Sequence, residues 1–102
     1  MNHNLPAAME QWLDYLRTNK RYSAHTLAAY RRDLAQLTRL YPDIDLATLS
    51  NPQIRTAIAR LHASQMSPRS LARILSAWRG FYAWWVPLAK LSLNPAKNVK
   101  TP

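Results

Sequence analysis

The sequence predicts an all-α fold, a bundle of four to five helices, on three observations. Leu, Ala and Arg dominate while β-branched residues are sparse and glycine occurs once, a composition that favours helices over hairpin-rich sheets. Apolar residues recur at helical spacing in four separate stretches, each with its own start signal. Hydrophobic residues make up 48% of the 102 positions, enough to close one core without staples.

The first helix is expected from about Pro6 to Thr18, with Leu5, Met9, Trp12, Leu13 and Leu16 on its inner stripe and Glu10, Gln11, Asp14 and Arg17 outside. The second opens at Ser23, a favoured N-cap, and runs to about Leu40, burying Leu27, Tyr30, Leu34, Leu37 and Tyr41 and ending against Pro42. Asp43 to Ser50 reads as a loop with one turn at Leu46 to Leu49. Ser50 or Asn51 then caps a third helix that starts at Pro52 and buries Ile54, Ala57, Ile58 and Leu61. The fourth has Ser67 as cap and Pro68 at its first position, and buries Leu71, Ile74, Leu75, Trp78, Phe81, Tyr82 and Trp85. Pro87 is expected to end it, and Ser92 to Pro102 to be extended.

Charge narrows the partner. Fourteen Lys and Arg against five Asp and Glu leave +9, and every acid (Glu10, Asp14, Asp33, Asp43, Asp45) lies within the first 45 residues. A half of one sign favours a polyanion, with nucleic acid ahead of anionic lipid for a helical domain. No stretch approaches the ~20 apolar residues of a membrane span. Met1 to Pro6 has no basic flank followed by an apolar run, so the expected location is the cytoplasm. Without Cys there is no thiolate chemistry, and His3, His25 and His62 are too scattered for a zinc site, so neither metal nor cofactor is expected.

Two helix starts are decorated alike: Ser23-Ala24-His25-Thr26-Leu27-Ala28 and Ser67-Pro68-Arg69-Ser70-Leu71-Ala72. Free N–H groups and the positive end of the helix dipole suit a phosphate, which Ser23, His25 and Thr26, and Ser67, Arg69 and Ser70, can supplement. Alternatively the serines only cap. On the fourth helix, Arg69, Arg73, Ser76 and Gly80 share the outer face with Arg79 on its flank, a mix of long donors and small residues suited to a major groove. The competing reading is a solvated face, weakened because the helix carries no acid to pair with its arginines. Arg32 faces outward on the second helix. Trp85 faces the core, while Trp84 points roughly 120° away from it and serves either a partner surface or a seat for the tail. No arrangement of Tyr, Arg, Lys and His forms a nucleophilic centre, and no Gly-rich phosphate loop or paired-carboxylate motif is present. The chain is therefore a binding module rather than an enzyme. Double-stranded DNA is the expected partner, and an acidic protein docked through Trp84 and the basic face is the alternative. A standalone helical repressor is less well supported, because a tight helix-turn-helix spacing is missing.

The runs Trp12-Leu13-Asp14-Tyr15-Leu16 and Tyr22-Ser23-Ala24-His25-Thr26-Leu27-Ala28-Ala29-Tyr30-Arg31-Arg32-Asp33-Leu34 resemble the N-terminal core-binding domain of tyrosine recombinases of the phage integrase family. So do Arg60-Leu61-His62, Met66 to Tyr82 and the closing Asn94 to Pro102. The resemblance covers nearly the whole chain. It implies a SAM-like orthogonal bundle, residues 1–92, that clamps one face of a recombination site, and a linker to a catalytic domain beginning at 93–102. That catalytic domain would carry the tyrosine that links to DNA. The resemblance also implies chromosome dimer resolution alongside a XerD-like recombinase, with this fragment monomeric by itself. On the family's pattern the second and fourth helices face the duplex, through His25, Thr26 and Arg32 and through Arg69, Ser70, Arg73 and Ser76. Gln65-Met66 and Val86-Pro87-Leu88-Ala89-Lys90 depart from positions where such proteins often carry Gly.

Overall fold

The computed structural model describes residues 5–102, so His3 and most of the Met1 to Pro6 segment lie outside the described residues. Among the described residues the regular structure is all helical: α1 (Ala7–Asn19), α2 (Ala24–Leu40), a 3-10 turn (Leu46–Thr48), α3 (Asn51–Ala63) and α4 (Pro68–Ala89).

Each start follows its local chemistry. Ser23 accepts from the Thr26 N–H at 3.1 Å and Ser67 from the Ser70 N–H at 3.2 Å. Ser50 and Gln53 form a reciprocal capping box at the head of α3, which fixes Ser50 as its cap. Only α1 lacks a side-chain cap, since Pro6 occupies that position.

The helices close one core. Met9, Trp12, Leu13 and Leu16 of α1, Leu34 and Leu37 of α2, Ile54, Ala57, Ile58 and Leu61 of α3, and Leu71, Ile74, Leu75, Trp78, Phe81 and Tyr82 of α4 are all buried. α4 supplies its largest side chains and packs against each of the other three helices. Two buried polar groups fix its position. The Trp78 indole Nε1 donates to the Asp33 carbonyl of α2 at 2.8 Å, and the Tyr82 hydroxyl donates to the Leu46 carbonyl of the 3-10 turn at 2.7 Å.

Several expectations are corrected. α4 does not stop at Pro87 but continues to Ala89. The proline φ suits a helix, and the single bond lost is to the carbonyl of Ala83, an exposed residue where water can take its place. The helix instead ends on Lys90 at φ 57°, with the Leu91 N–H reaching back to the Val86 carbonyl at 2.9 Å, the signature of a Schellman end. Gln65, at φ 74°, makes a similar left-handed turn after α3, so the two segments where the resemblance implies a glycine each hold a left-handed backbone without one.

The segment after Leu91 is not extended over its length. Asn94 to Lys97 turns back on itself, Pro95, Ala96 and Val99 are buried, and Asn51 at the head of α3 donates to the carbonyls of Pro95 at 3.0 Å and Lys97 at 3.2 Å. The reason is apolar: Ala96 and Val99 belong to the main core cluster, so detaching the tail would expose them.

Candidate nucleic-acid interface

The two decorated helix starts adopt the same geometry. Ser23 caps α2 and donates its hydroxyl proton to Thr26 Oγ1 at 3.0 Å, and Ser67 does the same to Ser70 Oγ at 3.0 Å. Both serines are exposed, Thr26 and Ser70 are half-buried, and His25 and Arg69, the second residue of each helix, are exposed. Among the described residues no protein group hydrogen-bonds the His25, Arg32 or Arg69 side chains. Ser76 is exposed one turn beyond Arg73.

α2 and α4 are joined by an ion pair rather than by apolar packing alone. The Arg73 Nη2 donates to Asp33 Oδ1 at 2.8 Å, and its Nε lies 3.2 and 3.1 Å from the two carboxylate oxygens. The Asp33 side chain is 1% exposed and that of Arg73 47%. Asp33 is the one buried charged residue among the described residues. Its hydrogen bond holds the Arg73 guanidinium more firmly protonated than a free arginine, against a smaller opposing effect of burial.

This pair corrects the expectation that the arginines of α4 have no acid to pair with: the helix has none of its own, but α2 supplies one across the interface. At 100° per residue, Asp33 falls between Tyr30 and Leu40 and beside Leu37, inside the apolar arc of α2. An acid there needs a cation, and that much was visible in the sequence. Its partner was not.

Three further expectations change. Arg79 turns to the tail, donating from Nη2 to the Val99 carbonyl at 2.8 Å and from Nε toward the Ala96 carbonyl at 3.4 Å. Its own carbonyl accepts from Asn94 Nδ2 at 3.1 Å. It is therefore a tail anchor, and Asn51 and Asn94, which sequence reasoning missed, complete the attachment. Gly80 does not offer close approach to DNA, because α1 occupies that side: a Cβ there would lie 3.2 Å from Trp12 Cζ2. Trp84 is half-buried, its ring centroid 6.1 Å from Tyr15 and 6.4 Å from Phe81, so α1 and the core cover part of it. The alternative of an acidic protein anchored on Trp84 loses its exposed anchor.

Other arginines are distributed unevenly. Arg31 is held by Glu10 through two hydrogen bonds of 2.6 and 2.7 Å, and Arg39 by Gln36. The Arg31 hydrogen bond pulls the Glu10 carboxyl below its ordinary value. The Tyr82 phenol is driven the other way, chiefly by burial, so it stays neutral and serves as a donor. No group of His, Asp and Glu among the described residues has the arrangement of a metal site, and no helix is long and apolar enough to cross a membrane. Of the expected contact residues, those that remain outward on α2 and α4 are Ser23, His25, Thr26 and Arg32, with Ser67, Arg69, Ser70, Ser76 and the free edge of Arg73. That surface can donate hydrogen bonds and carries cations.

A family profile described as phage integrase, N-terminal SAM-like domain, matches residues 9–87. The chain is 42% identical to a tyrosine recombinase XerC of Ralstonia pickettii over 96 residues, 89% of this chain and 29% of that protein. It is 38% identical over 99 residues to proteins of the same name from Xanthomonas campestris pv. campestris and Pseudomonas aeruginosa, covering 94% of this chain and 31% and 33% of theirs. The chain thus spans about three tenths of the length of the curated relatives it matches. No solved structure matches it.

Proposed function

Because the chain belongs to the phage integrase N-terminal SAM-like family, we propose that it is the DNA-binding core-binding domain of a XerC-like site-specific recombinase. It would clamp one face of a recombination site in chromosome dimer resolution, in the cytoplasm, while a separate domain performs strand exchange. On this reading the fragment is a monomer, residues 1–92 grip the duplex, and 93–102 lead toward the catalytic part. The partner in the assembly would be a XerD-like recombinase.

The observation that carries the reading is the exposed strip on α4 of Arg69, Arg73 and Ser76, joined to α2 through Asp33 and accompanied there by His25 and Arg32. It combines mobile cations, suited to phosphates, with one fixed guanidinium, suited to a directional contact. Ser23, Thr26 and Ser70 would add hydrogen bonds beside the helix starts. Arg79, occupied with the tail, leaves the contact set.

The test is a titration of the 102-residue chain with duplex DNA at several salt concentrations. If roughly 4 to 6 phosphates are neutralised, log affinity falls with log salt at a slope of about −4 to −5. Arg69→Gln should flatten that slope by about 0.9 if it grips one phosphate. Amide shifts should gather at the starts of α2 and α4. Salt-independent binding, or shifts confined to Trp84 and the tail, would overturn the reading.

A further inference from the structure

The Asp33–Arg73 pair does more than join two helices. A carboxylate taken this far from water demands a cation, and Arg73 supplies it through its Nε and Nη2 edge. An arginine has five N–H donors in a rigid fork. The Nη1 end of Arg73 has no partner among the described residues, and the side chain remains 47% exposed. The guanidinium plane is therefore oriented by a buried anchor while its far edge meets solvent, between Arg69 one turn before it and Ser76 one turn after.

Two consequences follow for any ligand on this face. Part of the rotamer freedom a surface arginine loses on contact has already been given up in folding. The pair is also neutral as a unit, so Arg73 offers a polyanion less net attraction than Arg69 does. A free cation serves affinity for any sequence, whereas a neutral, fixed fork serves direction. Resting on the DNA reading above, we propose that Asp33 is a positioning residue that aims the Nη1 edge of Arg73 at one base edge, and makes Arg73 the sequence-discriminating arginine of the face.

The experiment uses the whole chain and a library of randomised DNA duplexes, measuring the salt slope of total binding and, by sequencing the bound fraction, its sequence bias. Asp33→Asn leaves the backbone carbonyl that holds Trp78 in place but frees Arg73 as a net cation. The slope should steepen by about 0.9, bulk affinity should rise several-fold at low salt, and sequence bias should fall. A merely structural role would lower affinity instead. If Asp33→Asn does not fold, by helical circular dichroism and the Trp78 indole proton signal, Asp33→Asn with Arg73→Gln decides. That amide pair should keep the wild-type slope and lose the bias.

Retention of sequence bias in either variant, or an unchanged slope in a folded Asp33→Asn protein, would overturn the proposal. Arg69→Gln separates the two levels of failure. If it flattens the slope while the Asp33 variants behave as wild type, only the role of Asp33 falls. If the wild-type chain shows no salt-dependent binding, the DNA reading falls and this inference with it.

Discussion

Replacing Arg79 by Ala distinguishes a tail anchor from a DNA contact, and the structure fixes the size of the effect. The substitution deletes the 2.8 Å bond from Nη2 to the Val99 carbonyl and the 3.4 Å approach of Nε to the Ala96 carbonyl. A short bond from a charged donor contributes about 1.5–3 kcal/mol, while the longer contact adds little. The remaining attachments survive: Asn51 still holds the Pro95 and Lys97 carbonyls, Asn94 still reaches the backbone carbonyl of residue 79, and Ala96 and Val99 still bury apolar surface. The tail should therefore stay docked but open more often. A loss of about 2 kcal/mol multiplies the open population roughly 30-fold. Native-state hydrogen exchange at the amides of Lys97 and Val99, which donate to Asn94 and Ala96, should accelerate by that order. The core amides of Leu34 and Trp78 should keep their rates. Unchanged exchange at the tail would refute the anchor. An accompanying drop of about 0.9 in the salt slope for DNA would restore Arg79 as a phosphate contact.

Gly80→Ala should destabilise despite a helix-propensity gain of about 1 kcal/mol, because overpacking costs about 1–3 kcal/mol where the neighbour cannot yield. That neighbour is the Trp12 ring, 3.2 Å from the added Cβ, 5% exposed and packed against Tyr30 and Phe81. A raised thermal midpoint would show that Trp12 moves freely. The Glu10–Arg31 pair predicts a pH dependence with a definite sign. Glu10 has a lowered carboxyl pKa in the folded chain, so its contribution is complete above the ordinary value of 4.5 and disappears as pH falls through the depressed one. Both side chains are more than a third exposed, so the contribution should be below about 1 kcal/mol. Glu10→Gln should flatten the acid limb of stability by that amount in denaturant titrations carried downward from above pH 4.5, and an unaltered limb would discount the pair.

Helix existence, caps and inner faces were legible in the sequence because they depend on neighbours within a turn. Ser23 and Ser67 cap as their side chains demand, and the apolar stripes of α1, α3 and α4 point inward as their periodicity dictates. The Pro87 expectation failed on a local matter: near a helix end a proline removes one hydrogen bond without breaking the turn that follows. The site was read less completely, because the occupation of an arginine is a long-range property. Periodicity assigned Arg69, Arg73 and Arg79 to the outside, and nothing local separates the free one from the two already engaged.

The sequence by itself determined that this chain is four helices around one apolar core with an excess of positive charge, and that it belongs with the phage integrase N-terminal domains. Only the tertiary structure decided which cations remain available. Arg73 meets Asp33 across 40 residues of chain, Arg79 meets Val99 across 20, and Trp12 of α1 fills the space beside Gly80. Hydrogen bonds and steric contacts act over a few ångströms in space, and helix packing, not sequence distance, sets which groups come that close.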